Sequence, residues 1–230
     1  MTGEHDLEVL AAAIAECRKC ERLVRWREEV AREKRAAFRD DEYWGRPVAG
    51  FGDPAARLVV VGLAPAAHGA NRTGRMFTGD RSGDWLFRAL WRAGFADGPE
   101  SKARDDGLVL TDAWITAPVR CAPPGNRPTT TERDACASWF DAELALLVNK
   151  RVFVALGEFG YRSVWSYLGR HDVSLPRPRP RFAHGGEVVL EDGGAVIASY
   201  HPSQQNTFTG KLTEEMLDAV FSRAGALIRG

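Results

Sequence analysis

At 230 residues the chain has room for one well-buried domain, and 44% hydrophobic with 27% charged residues is the balance of a folded, water-soluble protein. Equal numbers of basic and acidic residues give a net charge of zero, which excludes a global field drawing in nucleic acid or an anionic surface. No run approaches the ~20 apolar residues of a membrane span, and Met-Thr-Gly-Glu-His-Asp at the start shows no export signal, so a cytoplasmic protein with no membrane partner is expected.

In chain order, residues 6–16 and 21–37 read as helices flanking a Cys-x-x-Cys. The early run of Arg22, Arg25, Arg27, Arg32, Lys34 and Arg35 is interleaved with five glutamates and reads as a solvated helix face. Arg57–Gly62 is a short apolar run ending in glycine, the pattern of a buried parallel strand. A long Gly-rich loop from Leu63 to about Gly83 precedes a helix over Asp84–Ala93 and a strand over Ala113–Val119. Thr131 opens a helix to about Val148, with Asp134 as the short acid of a capping box. Arg151–Leu156 is a second buried strand, followed by a helix near 158–168. Leu175–Gly186 is a loop in which Arg177, Arg179 and Arg181 alternate with prolines. Glu187–Leu190 and Ala195–Tyr200 read as strands around a Gly-Gly turn, and Leu212–Ile228 as the closing helix. Strands alternating with helices predict a parallel α/β sandwich whose functional loops lie past the C-terminal strand ends.

Cys17 and Cys20 are a close pair, whereas Cys121 and Cys136 stand far downstream with fourteen residues between them. In a reducing compartment such a set points to ligands for a metal or an iron–sulfur cluster, with two disulfides as the rival. Structural zinc sites usually combine two short-spaced pairs; one close pair with two remote thiolates favours a cluster tying the N-terminal segment onto a larger domain.

Three loops carry chemistry: Gly62–Asp80, Arg120–Pro128 and Ser199–Gly210. Phe77 and Phe208 are apolar rings on polar loops and need something to pack on. The runs GLAPA (Gly62–Ala66), NRTGRMFTGD (Asn71–Asp80), RCAPPGN (Arg120–Asn126) and HPSQQNTFTG (His201–Gly210), together with the four cysteines, resemble the iron–sulfur uracil-DNA glycosylase superfamily, and within it the fifth family (UDGb type).

That resemblance spans nearly the whole chain. It implies a three-layer α/β/α sandwich with a central mostly parallel sheet, a single domain over 1–230, and an N-terminal helical segment of about 1–40 tied on by a 4Fe–4S cluster held by Cys17, Cys20, Cys121 and Cys136. The implied protein is a monomeric DNA repair enzyme of the prokaryotic nucleoid. It flips a uracil out of double- or single-stranded DNA and hydrolyses its N-glycosidic bond. Phe77 matches the aromatic that stacks on the base. His201 matches the donor to the base oxygen on which negative charge develops. Ala64, Pro65, Ala117 and Asn126 fall in the base-binding motifs. Ser203, Gln204 and Asn206 of the last loop, with Lys211, Arg72 and Arg75, are candidate DNA contacts.

Two departures matter. The related fourth family has Glu where this chain has Leu63, so water falls to His201, Asn71, Asp80 or backbone groups. Related enzymes often read the uracil edge with an Asn where this chain has Ala117 before Pro118, which predicts removal of further deaminated bases such as hypoxanthine. The lysine-, arginine- and histidine-rich insertion of uracil-trapping relatives is missing, so turnover is expected. The competing readings are a non-catalytic iron–sulfur or zinc module that recognises damaged DNA and an electron-transfer protein. A phosphate-cradling nucleotide enzyme fits poorly without a Gly-Lys-Ser/Thr signature.

Overall fold

The computed structural model describes residues 2–230. One sheet holds six strands: β1 (Phe51–Gly52), β2 (Leu58–Val61), β3 (Ala113–Thr116), β4 (Val152–Leu156), β5 (Glu187–Val189) and β6 (Ala195–Ser199), in the order β1-β3-β2-β4-β6-β5. The four inner strands are parallel, and the two edges, β1 on β3 and β5 on β6, are antiparallel. Every residue of the inner strands is buried, which explains why each reads as an unbroken apolar run rather than an alternation.

The helices are α1 (Thr2–Ala15), α2 (Glu21–Glu33), α3 (Ala70–Thr73), α4 (Arg81–Arg92), α5 (Thr130–Leu146), α6 (Gly157–Arg170), α7 (Gln204–Phe208) and α8 (Glu214–Arg229). Alternate strand residues face opposite layers. Val60, Ile115, Val154 and Ile197 pack with Leu86, Phe87 and Leu90 of α4 and Leu217, Val220 and Phe221 of α8. Val59, Val61, Phe153 and Ala155 pack with Phe140 and Leu144 of α5 and Tyr161, Val164 and Trp165 of α6. The expected three-layer α/β/α sandwich is what forms.

Several boundaries differ from expectation for local reasons. The strand expected to reach Val119 stops at Thr116, because Pro118 has no N–H for the ladder. Helix α4 starts at Arg81, three residues early, because Asp80 caps it by accepting from the Gly83 amide at 3.0 Å. The capping box of α5 is Thr129 with Glu132, not Thr131 with Asp134. Helix α2 ends at Glu33, where Lys34 takes a left-handed φ of 56°.

The early basic run is not a solvated face throughout. Arg22 forks onto Glu132 at 2.7 Å, and Arg27 is 2% exposed. Both bind α2 to the body of the protein because their partners lie on the loop and helix carrying Cys121 and Cys136.

Candidate functional site

From β2 the chain crosses to β3 on one side, and later to β4 on the other. The loops after these strands diverge, and the crevice between them is where open parallel sheets place ligands. The Gly62 loop, the segment after β3, the start of α6 and the His201 loop all gather there.

Phe77 and His201 meet in this crevice with ring centroids 5.7 Å apart and planes inclined by 27°. Phe77 is 9% exposed and takes a left-handed φ of 55°. Its ring lies over the end of β2, where a Cβ on Gly62 would stand 2.7 Å from it, so the glycine that opens the loop is what admits the ring.

His201 is half-buried, and desolvation by the surrounding protein pushes its imidazole down to about 4, so it is neutral at physiological pH. The Asn206 amide fixes its backbone, donating to the His201 carbonyl at 2.9 Å.

Asp80 sits at the far end of the same loop. Its carboxylate presses on Gly69, where a Cβ would come within 2.1 Å, and burial pushes its carboxyl up despite backbone donors at Ser82 and Gly83. Of the base-binding candidates, Ala117 and Pro65 are buried and Ala64 is half-buried, packed toward Leu23, Val119 and Cys121. Asn126 stands on an exposed 3-10 turn, Pro124–Asn126, and its side-chain amide has no partner among the described residues.

The last loop forms the single-turn helix α7. Ser203 caps it by accepting from the Asn206 amide, Gln204 is exposed, and Phe208 projects with 66% of its surface open. Arg81 lies over the Phe208 ring at 4.5 Å and Lys211 over the Tyr200 ring at 4.7 Å.

Three candidates are corrected. Asn71, expected to help with water, is fully buried and donates to the Arg27 carbonyl at 3.2 Å, so it ties the first loop to α2. Arg72 and Arg75, expected on phosphate, are engaged inside the protein. Arg72 bonds Asp41, the His68 carbonyl and the Gly79 carbonyl. Arg75 is 6% exposed and bonds Asp106, Ser101, Thr78 and the Arg104 carbonyl. Burial opposes ionisation of Asp106, but Arg75 and three backbone amides hold its carboxyl at about 2. Asn206, expected on DNA, is half-buried and also donates to the His201 carbonyl.

The four cysteines are unbridged and line one narrow recess, together with Leu23, Val119 and Arg120. Among the described residues no three His, Cys, Asp or Glu side chains converge as for a single metal ion. Arg27 donates to the Cys121 sulfur at 2.9 Å and Trp139 to the Cys17 sulfur at 3.3 Å. The Arg27 Nε is buried without a partner, and its one nearby carboxylate, Glu28, is 3.8 Å from another guanidinium nitrogen. Burial pushes the Cys121 thiol up to about 12 and raises Cys20 and Cys136. The recess therefore holds protons until something positive displaces them.

Sequence reading missed a buried network beside this recess. Arg120 and Glu143, 1% and 2% exposed, pair at 2.8 Å, with Thr116 bonded to both and the Gly50 amide donating to Glu143. A buried pair so far apart in sequence leaves no local pattern to find.

Residues 49–224 match the family described as the Uracil DNA glycosylase superfamily. A type-5 uracil-DNA glycosylase of Mycobacterium bovis is 54% identical over 95% of this chain and 80% of its own length. That of Mycobacterium leprae is 54% identical over 98% and 97%, and that of Thermus thermophilus 49% over 96% and 98%. With the sandwich, the crevice and the loop motifs in place, the chain belongs to the type-5 branch of the uracil DNA glycosylase superfamily.

Proposed function

We propose that this chain is a monofunctional uracil-DNA glycosylase of base excision repair, which flips uracil from DNA, cleaves the bond from C1′ to N1 and leaves an abasic site. The observation that carries the reading is the meeting of Phe77 and neutral His201 at the strand ends of a type-5 superfamily member. Phe77 offers the flipped base a stacking face. As the glycosidic bond breaks, negative charge grows on the base, and the neutral His201 N–H donates to its oxygen. A neutral donor suits this role, since desolvated imidazolium would be costly to hold in the crevice. Asp80, half-buried with its carboxyl pushed up by desolvation, is the group assigned to orient the water that attacks C1′ and to take its proton.

Leu63 and Ala117 supply neither acid nor amide to police the base edge, so the pocket accepts other deaminated bases, hypoxanthine among them. The enzyme acts as a monomer in the cytoplasm, at the nucleoid.

Cys17, Cys20, Cys121 and Cys136 hold a 4Fe–4S cluster that pins α2 to the loop bearing Asn126. Two features support this: the four cysteines line one recess, and the buried Arg27 beside the Cys121 sulfur lacks a close carboxylate. Such a group would cross-link the four cysteine segments, the cysteines binding it as thiolates after giving up their thiol protons to solvent.

The test is base release from duplexes and single strands carrying uracil, hypoxanthine, xanthine or ethenocytosine, with anaerobically purified protein. Alkali-sensitive sites at uracil establish the activity, and sites at a deaminated purine establish the wider range. Binding without release from any substrate overturns the enzymatic reading in favour of a damage-recognition module.

A further inference from the structure

The sequence set apart one motif that the catalytic site does not use, the alternation of Arg177, Arg179 and Arg181 with prolines. All three are exposed, and none meets a carboxylate among the described residues. Their setting is well defined. Tyr161 of α6 donates to the Pro180 carbonyl at 3.1 Å, and the Phe182 ring lies 5.7 Å from that of Tyr161 and 6.1 Å from that of Tyr200. His184 stacks on Tyr200 at 5.2 Å, and the Gly185 amide bonds the Ala198 carbonyl at 2.8 Å. The strap thus turns its apolar residue inward and its arginines out.

Direction follows from pairing and packing. Strand β5 runs antiparallel to β6, and Gly185 and Gly186 prolong that ladder alongside Ala198. Leu175 lies against Gly169 in the last turn of α6 and Pro180 is held by Tyr161 near its start, so the strap climbs along α6 and brings Arg181 toward the end of the sheet where His201 and α7 stand.

Many arginines are matched by acids, although Arg25, Arg151 and Arg229 are exposed with no carboxylate partner among the described residues. Arg57 with Asp112, Arg92 with Asp218, Arg162 with Glu158, Arg170 with Asp141 and Arg223 with Glu187 are neutralised in pairs. Around the crevice Arg81, Arg127 and Lys211 are exposed and, among the described residues, unpaired. Zero net charge leaves room for such a local cationic patch beside the crevice.

We propose that the Arg177–Arg181 strap is a phosphate-contact surface that extends the DNA footprint beyond the base-flipping crevice. It makes sequence-independent contacts to the backbone of the bound nucleic acid and releases counterions as it does so. Proline limits the backbone around each arginine, so little conformational entropy is lost when DNA docks. The inference rests on the glycosylase reading above.

The experiment measures binding of an undamaged fluorescent duplex across salt concentrations, for the full-length wild type, Arg177→Gln/Arg179→Gln/Arg181→Gln, and the corresponding triple lysine variant. Each lost phosphate contact lowers the slope of log K against log salt by about 0.9, so the glutamine variant should lose about two to three units. The lysine variant should keep most of the slope, which separates charge from a change of shape. A glutamine variant that retains the wild-type slope and affinity overturns the proposal and leaves the strap to a protein partner. Uracil release by the wild type is scored in parallel: its failure sinks the glycosylase reading, whereas its success with an unchanged slope sinks only the strap.

Discussion

Arg27 touches both halves of the molecule's working parts: its guanidinium donates to the Cys121 sulfur at 2.9 Å, and its carbonyl accepts from Asn71 of the Phe77 loop at 3.2 Å. The cysteine recess and the base-stacking loop are thus joined through one residue of α2. A cation 2% exposed with no closer carboxylate than 3.8 Å is in a poor position unless anionic sulfur lies beside it.

Arg27→Met keeps the aliphatic packing and removes the charge. The variant is expected to purify with reduced iron and a weakened brown absorbance, and Arg27→Lys to recover part of both. Cys121→Ser should lose iron and melting temperature together. A melting temperature retained after the colour is lost would contradict a structural cluster.

If His201 is the donor to the leaving base, as proposed, replacing it by Asn should cost roughly 100- to 1,000-fold in single-turnover uracil release. It should also change the pH dependence of stability. Below its ordinary value of 6.5 the unfolded histidine takes up a proton that the folded site, at about 4, refuses. Stability present above pH 6.5 is therefore lost as pH falls toward 4, by up to about 3 kcal/mol in total. Asp80, with its carboxyl raised, acts in the opposite sense, so the two variants must be measured separately. Denaturant titrations at pH 7 and pH 5 should show the wild type losing more stability than His201→Asn.

Asp80→Asn separates a helix cap from a catalytic carboxylate. Asparagine caps as well as aspartate, so melting temperature should hold. Turnover should fall about 100-fold if the carboxylate takes the water's proton. An unchanged rate would reduce Asp80 to the cap of α4.

Phe208 projects from α7 with Arg81 over one face, and the glycosylase reading assigns it to the gap that a flipped nucleotide leaves in the stack. Extrusion costs a few kcal/mol from a duplex and least from single strands. Phe208→Ala should therefore slow release from duplex by about tenfold or more and leave single-stranded substrate nearly unaffected. Equal losses on both would assign the ring to folding or general contact.

Glu143→Gln would leave the Arg120 guanidinium buried beside the recess without its counter-charge, and should cost about 3–5 kcal/mol in denaturant unfolding. The double change Arg120→Met with Glu143→Leu should recover much of that loss.

What the sequence made legible follows a physical divide. Strands buried on both faces had to be apolar throughout, so β2 and β4 could be read directly, and the cysteines needed only counting. Two-residue β1 and the single turns α3 and α7 are too short to carry a period. The fates of Arg72, Arg75 and Asn71 were hidden because an arginine in a loop looks the same whether its carboxylate is Asp106 or a phosphate. The cap at Asp80 was different: an Asp directly before the periodic residues was a visible signal.

The packing of α1 on α5 and the fork of Arg22 on Glu132 have a consequence for the order of events during synthesis. The first helices leave the ribosome roughly a hundred residues ahead of the surface they rest on, a delay of about 5 to 20 seconds at ordinary elongation rates. Helices of this length are marginal alone, so the segment waits unstructured. Cys17 and Cys20 wait through that interval as free thiols until Cys121 and Cys136 emerge to complete the recess.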